Sequence, residues 1–233
     1  MFDFDHTVID GNTDEKIQEV HPDHGIVYSA KIGWTEYMRL IFVECERVGV
    51  KRGVMEGVIR QLPFSEGMED LFKFIRANRQ QIKVVIASDS NTWFISVLLE
   101  RLRIADLVDH VFTNPAHWDK TLLVIDRYET NESCSRCPIN MCKQGIIRDK
   151  VKTTYPGQAV IYCGDGSNDY CPLKNLSASD VACPRVGYRL EKLIDKQEKL
   201  VKQERSDHEL CCRIVRWQSG EQIQTIVKEY LSK

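Results

Sequence analysis

Two carboxylates stand two residues apart at the start of the chain. Asp3 and Asp5 alternate with Phe2 and Phe4 in a pattern that predicts the end of a buried strand. Both acids then share one face, because successive strand side chains point to opposite faces. Such a pair repels unless a cation or a shared proton relieves it. It can bind Mg²⁺ through oxygen ligands, or divide its work between an ionised nucleophile and a protonatable acid–base.

Two later strands are also predicted to end in polar residues. The apolar run at 82–87 leads into Ser88–Asn91, and the run at 159–163 leads into Asp165–Asp169. Ligands of parallel α/β sheets bind beyond the carboxyl ends of the strands. We therefore expect acidic and hydroxyl groups from three separate segments to converge at one edge of a sheet.

The elements that must position these groups follow from the hydrophobic periodicity. Residues 14 to about 75 are predicted to be mainly helical, with helices over 31–48 and 52–62 and a third capped by Ser65. Later strands are predicted at 82–89, 108–113, 159–163 and 181–183, with a hairpin arm at 122–128, a loop at 129–141 and an edge strand at 214–217. Helices are predicted at 92–103, 142–155, 188–204 and 220–231. This alternation predicts an α/β fold with a doubly wound parallel sheet.

Composition narrows the function classes. The 233 residues are 42% hydrophobic and 28% charged with a net charge of -2, which is typical of a globular protein of one large domain or of a core with an inserted cap. There is no basic excess, so no nucleic-acid partner is expected. The apolar runs are too short for a bilayer, no signal peptide is apparent, and no protein partner is predicted.

The nine cysteines indicate a cytoplasmic protein with free thiols, because their number is odd and no targeting segment is present. Cys134, Cys137 and Cys142 invite a zinc site, but a structural site needs four ligands. The nearest remaining cysteine, Cys163, falls at the end of a strand. A metal-sensing or redox protein is therefore the less favoured hypothesis.

The motif Asp3-x-Asp5-x-Thr7 resembles the first motif of the haloacid dehalogenase superfamily of phosphatases. Across nearly the whole chain, ordered motifs resemble the branch that contains pyridoxal-phosphate phosphatase and phosphoethanolamine/phosphocholine phosphatase. Leu62-Pro63-Phe64 and Trp217-Gln218-Ser219-Gly220 favour the pyridoxal-phosphate member. The other motifs are Asn12-Thr13-Asp14, Ser88-Asp89-Ser90-Asn91, Phe112-Thr113-Asn114-Pro115, Cys137-Pro138-x-Asn140-x-Cys142-Lys143 and Gly164-Asp165-Gly166-x-Asn168-Asp169.

The resemblance implies a Rossmann-like catalytic core at 1–13 and 76–233. A small helical cap at 14–75 would follow the first strand, with a hinge at Pro63-Phe64-Ser65. It also implies a Mg²⁺-dependent phosphomonoester hydrolase acting on a small phosphorylated metabolite. Pyridoxal 5′-phosphate is the first expectation and phosphoethanolamine or phosphocholine the second. A non-catalytic scaffold is less favoured, because the acids of the motifs are all present.

In this family pattern Asp3 is the nucleophile that forms an aspartyl-phosphate, and Asp5 is the acid–base. The expected Mg²⁺ ligands are Asp3, Asp165 and the backbone carbonyl of Asp5. Asp169 would orient the waters of the metal.

The phosphate would be bound by Thr7, Ser88 and a lysine. Lys143, Lys150 and Lys152 are the candidates. The spacing of 22 residues between Lys143 and Asp165 resembles that of the phosphoserine-phosphatase-like branch, and this resemblance favours Lys143. Asp14 and Asp89 are predicted to contact the substrate, with plain helix caps as the alternative.

Overall fold

The computed structural model describes residues 1–29, 31–132, 134–203 and 210–232. The first helices are α1 (Thr13–Ile17), α2 (Trp34–Arg47), α3 (Arg52–Ile59) and α4 (Met68–Ala77). They are followed by β1 (Val85–Asn91), α5 (Thr92–Arg101), β2 (His110–Asn114), β3 (Ala116–Asp119) and β4 (Leu122–Ile125). The last part contains α6 (Lys143–Ile146), α7 (Lys152–Thr154), β5 (Ile161–Gly164), α8 (Tyr170–Leu173), β6 (Val181–Pro184), α9 (Arg189–Lys202), β7 (Arg213–Ile214) and α10 (Gly220–Leu231).

The central sheet is parallel, as the sequence predicts. β1 pairs with β2, and β6 pairs with both β5 and β7. Phe2 joins the two halves, because it forms parallel bridges to Ile86 in β1 and to Cys163 in β5. The order across the sheet is therefore β2, β1, the N-terminal segment 1–3, β5, β6 and β7, which places Asp3 at the centre.

Alternate residues of the strands pack into separate cores. Ile86 and Cys163 belong to one core, whereas Val85, Ala87 and Tyr162 belong to the other. Buried residues of α2–α5 and α10 join the first core, and residues of α8 and α9 join the second. Helices thus cover both faces, which confirms the doubly wound architecture.

The helical block after the first strand is attached through two short paired segments. The amide of Asp10 donates to the carbonyl of Pro63 at 2.9 Å, and the amide of Ser65 donates to that of Val8 at 3.1 Å. The predicted hinge at 63–65 therefore lies beside residues 8–10, which follow Asp3 and Asp5. The cap at 14–75 and the core at 1–13 and 76–233 stay a prediction. α4 packs on α10, and Phe72 lies against Phe2, which favours counting α4 with the sheet.

Several predicted bounds are corrected by the structure. Ser65 does not cap α4, since Gly67 is the N-cap residue and the Ser65 hydroxyl accepts from Arg185 at 3.3 Å. The predicted helix over 142–155 contains a π-helical turn at Ile147–Val151. The predicted end of the helix over 188–204 lies outside the described residues.

The sequence also missed one arm of a hairpin. The prediction covered 122–128 alone, whereas β3 and β4 pair as antiparallel strands. Within the described ranges, no helix has the length and apolar character needed to cross a membrane.

Candidate active site

Three carboxylates meet at the carboxyl end of the sheet. Asp3 follows the N-terminal segment, and Asp165 and Asp169 follow β5. One oxygen from each lies within 4.8 Å of the other two, and all three residues are at least nine-tenths buried. The convergence that the strand ends predict is therefore present, although Asp3 and Asp165 are more than 160 positions apart in the chain.

Asp169 uses both of its oxygens to hold the site together. Oδ1 accepts from Lys143 Nζ at 2.7 Å and from the Tyr162 hydroxyl at 2.6 Å. Oδ2 accepts from the backbone amides of Asp165 and Gly166 at 3.1 and 2.9 Å. These four bonds use both oxygens of Asp169 and tie Lys143 and Tyr162 to the backbone at Asp165 and Gly166.

Gly164 is required by this arrangement. A Cβ atom at Gly164 would lie 2.6 Å from the carboxylate carbon of Asp169, closer than van der Waals contact allows. The absence of a side chain at Gly164 therefore lets the Asp169 carboxylate lie against the backbone.

Lys143 lies between two of the acids. Its Nζ is 2.8 Å from Asp3 Oδ2 and 2.7 Å from Asp169 Oδ1, and its side chain is 2% exposed. Burial favours the neutral amine and lowers the pKa of Lys143, but the charges of Asp169 and Asp3 outweigh this effect, so the pKa is raised. The lysine therefore stays charged beside Asp3. Of the three candidate lysines it is the one in the cluster, whereas Lys150 is exposed and Lys152 pairs with Asp180.

Asp3 and Asp5 face different environments. Asp3 Oδ1 accepts from the amide of Phe4 at 2.7 Å, while Asp5 Oδ2 accepts from the Thr13 hydroxyl at 2.9 Å. The Thr13 hydroxyl has a single proton, so the Ser90 hydroxyl, 2.8 Å away, donates to Thr13. Asp5 Oδ1 is buried with no partner among the described residues.

Burial raises the pKa of both acids. The second-largest cause of the raised pKa is the charge of Asp169 in the case of Asp3 and the charge of Asp14 in the case of Asp5. Among the described residues, a cation contacts Asp3 and none contacts Asp5. The pair is therefore divided into one carboxylate that is paired with a lysine and one that is suited to hold a proton.

Asp14 lies near Asp5 but is bound to an aromatic side chain. Its Oδ2 accepts from Trp34 Nε1 at 2.6 Å, and burial raises the pKa of Asp14 to about 7. It is not the cap of α1, because Asn12 accepts from the amides of Asp14 and Glu15. Trp34 packs against Tyr28 and Tyr37, with ring centroids 5.2 Å from each.

The remaining predicted residues lie around the same cluster. Thr7 is fully buried and its hydroxyl donates to Asp165 Oδ1 at 3.4 Å. Ser88 is fully buried in β1, and its oxygen accepts from the amide of Ser90 at 3.3 Å. Asp89 accepts from the Asn168 side chain at 3.1 Å, and its charge contributes to raising the pKa of Asp3 and Asp14. The helix-cap alternative is wrong for Asp89, since Asn91 caps α5.

The donor set fits Mg²⁺. Asp3 and Asp165 offer hard carboxylate oxygens in one pocket, and both have a pKa raised first by burial, that of Asp165 to about 7. A bound cation would favour their ionised forms and relieve their mutual repulsion.

Several residues of this network were not singled out from the sequence. Asn114 donates through its side-chain amide to the carbonyls of Asp89 and Ser90 at 2.7 and 2.9 Å, which holds the end of β1. Arg185 donates to the carbonyl of His6 at 2.5 Å and to Asp10 at 3.0 Å, which holds the loop after Asp5. Asn114 falls within a quoted motif, but no local signal marks Arg185. The other residues of the network that the sequence analysis did not single out are Thr13, Trp34, Ser90 and Tyr162.

Comparison with known sequences gives a match over nearly the full chain. The sequence model of the family described as "Putative Phosphatase" matches residues 1–231. The chain is 36% identical to mouse "Pyridoxal phosphate phosphatase PHOSPHO2", with 96% of this chain and 94% of that protein covered. It is 30% identical to chicken "Phosphoethanolamine/phosphocholine phosphatase", with 100% of this chain and 88% of that protein covered.

Comparison with solved structures bears on the fold. A substrate-bound phosphoserine phosphatase complex superimposes with a TM-score of 0.60 at 17% identity, and the match covers 98% of this chain and 95% of that one.

Proposed function

We propose that this chain, a phosphatase that belongs to the "Putative Phosphatase" family, is a Mg²⁺-dependent phosphomonoester hydrolase of the haloacid dehalogenase type that acts through an aspartyl-phosphate. Its proposed substrate is a small phosphorylated metabolite, first of all pyridoxal 5′-phosphate. The observation that carries the proposal is the Asp3 carboxylate, which lies with Asp165 at the centre of the sheet edge and 2.8 Å from the ammonium of Lys143.

In the first step an Asp3 oxygen attacks phosphorus and the bond from phosphorus to the ester oxygen breaks. The leaving oxygen takes a proton from Asp5, whose raised pKa suits it to carry one. In the second step Asp5 accepts a proton from water, the water oxygen attacks phosphorus, and the bond from phosphorus to the Asp3 oxygen breaks. Free Asp3 and inorganic phosphate result.

The negative charge of the phosphoryl group needs positive charge and donors around it. Lys143 supplies a buried ammonium, and Ser88 supplies a hydroxyl at the end of β1. Thr7 is proposed to join them by redirecting its 3.4 Å bond from Asp165 to the phosphate.

Asp3, Asp165 and the carbonyl of Asp5 would hold Mg²⁺, which supplies charge neutralisation between the nucleophile and the phosphate when bound. Asp169 would orient this cluster, because its four hydrogen bonds tie Lys143 to the Asp165 backbone.

Asp14 supports a substrate with a cationic or hydrogen-bonding group. Its carboxylate is buried beside Asp5, and it is linked to an aromatic group formed by Trp34, Tyr28 and Tyr37. A pyridinium ring or an amine can pair with the acid and pack on the indole. The names of the similar mouse and chicken phosphatases fit these two kinds of substrate, and the higher identity favours the pyridoxal-phosphate kind.

The proposal is tested by measuring phosphate release with Mg²⁺ from pyridoxal 5′-phosphate, phosphoethanolamine, phosphocholine and phosphoserine. The matched control is Asp3→Asn, which keeps the shape of the side chain and removes the nucleophilic oxygen. We expect the highest kcat/KM for pyridoxal 5′-phosphate and no turnover by the control. Equal rates for the wild type and Asp3→Asn would refute the mechanism, whereas a preference for phosphocholine would overturn only the substrate.

Asp14→Asn separates recognition from chemistry. It keeps an acceptor for the Trp34 indole and removes the charge. We expect KM for the preferred substrate to rise and the rate on an uncharged aryl phosphate to stay the same. An unchanged KM for every cationic substrate would remove Asp14 from the site.

A further inference from the structure

Four cysteine side chains come together next to the active site, and we call them the cysteine cluster: Cys134, Cys137, Cys142 and Cys171. The sulfurs of Cys134, Cys137 and Cys142 all lie within 4.8 Å of one another. Cys171 Sγ lies 3.7 Å from Cys134 Sγ, and the Cys171 thiol also interacts with that of Cys137.

In the sequence no fourth ligand stands at a convincing spacing, and Cys163 is the nearest remaining cysteine. Cys163 lies in β5 beside Cys183 of β6. Cys171 completes the cluster instead, because it lies on α8, which packs against α6 directly after Cys142. Its separation in sequence conceals this contact.

The spacing of the sulfurs suits one tetrahedral metal ion. Four thiolates at the usual zinc–sulfur distance of about 2.3 Å place neighbouring sulfurs about 3.8 Å apart. The separation between Cys134 and Cys171 is 3.7 Å, and the sulfurs of Cys134, Cys137 and Cys142 lie within 4.8 Å of one another. Cys171 is outside that group of three, so binding of the ion would draw its sulfur closer to the rest. A disulfide needs sulfurs about 2.05 Å apart, and all four cysteines are free thiols.

The loop that carries three of the cysteines is already shaped by hydrogen bonds. Asn131 accepts from the amide of Cys134 at 3.0 Å and donates to the carbonyls of Cys134, Cys137 and Pro138 at 3.1, 3.4 and 3.2 Å. Glu129 accepts from the amide of Cys142 at 2.8 Å. Few apolar side chains of this loop are buried, so the loop depends on polar contacts and on the cluster itself.

Positive side chains stand beside the cluster. Arg136 lies 5.2 Å and Lys174 5.9 Å from the centre of the Tyr170 ring, and both exert their charge on Cys171. Four thiolates around a divalent ion leave a net charge of about −2. These two cations would offset that charge at the surface side of the site.

We propose that the cysteine cluster binds one structural Zn²⁺ ion. The site joins the loop at 129–142 to α8 and so fixes the positions of the two segments that carry Lys143 and Asp169. Cys142 directly precedes Lys143, and Cys171 follows Asp169 by two residues. The 2.7 Å contact between Lys143 and Asp169 spans the same two segments that the metal would connect.

Metal analysis of the full-length protein, purified without added metal or chelator, tests the site. We expect one zinc per chain in the wild type and a loss of that zinc in Cys171→Ser. Cys45→Ser is the matched control, because Cys45 is a buried free cysteine of α2 outside the cluster, and it should keep the zinc. Asp3→Asn and Asp165→Asn should also keep it, which separates the cluster from the carboxylate site.

Replacement of the zinc by Co²⁺ gives a second measurement on the wild-type protein. We expect thiolate-to-cobalt charge-transfer bands and the d–d bands of a tetrahedral site. This arm remains informative even if Cys171→Ser fails to fold.

Wild-type protein without zinc and without a tetrahedral cobalt spectrum would overturn the proposal. So would iron in place of zinc, zinc retained by Cys171→Ser, or fewer than the nine expected thiols on titration of the denatured, chelated chain. None of these measurements uses phosphatase activity. An inactive protein that holds zinc would therefore count against the proposed function and leave the metal site standing.

Discussion

Replacement of Lys143 by Met tests the electrostatic core of the active site. Met keeps the apolar stem and removes the ammonium that contacts Asp3 at 2.8 Å and Asp169 at 2.7 Å. The side chain is 2% exposed, so water cannot replace the lost partner. Two buried carboxylates then face each other without a cation.

The magnitude follows from the burial of the group. Removal of one partner from a buried ion pair costs roughly 3–5 kcal/mol of unfolding free energy. In the variant, one of the two buried carboxyls keeps a proton in the folded state that it releases in the unfolded chain. The pKa of that carboxyl is therefore higher in the folded state than in the unfolded state. Stability is then present at low pH and lost as pH rises above the unfolded value of about 3.9. The cost of the substitution should therefore grow with pH, by up to about 1.4 kcal/mol per pH unit for one proton.

Urea unfolding between pH 5 and pH 8 measures this effect. We expect a small cost at pH 5, the largest cost at pH 8, and partial recovery in Lys143→Met combined with Asp169→Asn. Lys150→Met is the control, since Lys150 is exposed on the same segment and its loss should change stability by about 0.5 kcal/mol or less. Loss of one charge that stabilises the transition state should lower kcat about 10²–10³-fold.

A pH-independent cost, or a cost below about 1 kcal/mol at pH 8, would refute the reasoning. Either result would mean that Asp3 and Asp169 do not depend on the lysine for their charge balance.

Three further changes test other parts of the site. Asp5→Asn should lower kcat about 10²–10⁴-fold for an alkyl phosphate and much less for an aryl phosphate with an acidic leaving group. Only the alkyl leaving group needs a general acid. Equal losses of kcat for the two substrates would count against that role. Burial raises the pKa of Asp14 from 3.8 to about 7. The wild type should therefore lose roughly 4 kcal/mol of unfolding free energy relative to Asp14→Asn as pH rises from about 4 to about 7. Stability curves from urea unfolding that run parallel for the two proteins would contradict this. Gly164→Ala should destabilise the protein by about 1–3 kcal/mol and lower kcat, because the added methyl group would collide with the Asp169 carboxylate. A thermal unfolding curve that matches the wild type would disprove the contact.

Local sequence patterns predicted much of the sheet and of its acidic edge. Strand periodicity placed β1, β5 and β6 within a few residues. The alternation of Asp3 and Asp5 with Phe2 and Phe4 predicted a shared strand face, but the chain turns at residues 5–8, so Asp5 lies on a turn. The helix at 220–231 was predicted with the bounds that the structure shows. These features depend on side chains close together in sequence, so a short window contains their physical cause.

The division of roles among the acids needed the folded chain. The family resemblance implied that Asp169 orients the waters of the metal, but only the structure shows the four hydrogen bonds that its carboxylate accepts. The helix-cap alternative for Asp14 was excluded only by the structure, in which Asn12 caps α1 and Asp14 accepts from Trp34. Its contact with substrate stays a prediction.

The sequence by itself determined the parallel sheet, the three acidic strand ends and the family motifs. The tertiary structure decided which lysine pairs with Asp3, and that Cys171 joins three cysteines of a distant loop. The physical reason is that periodicity describes which face of a single element is buried. Contacts between α6, α8 and the strand ends depend on how those elements pack together, and no interval in the sequence records that packing.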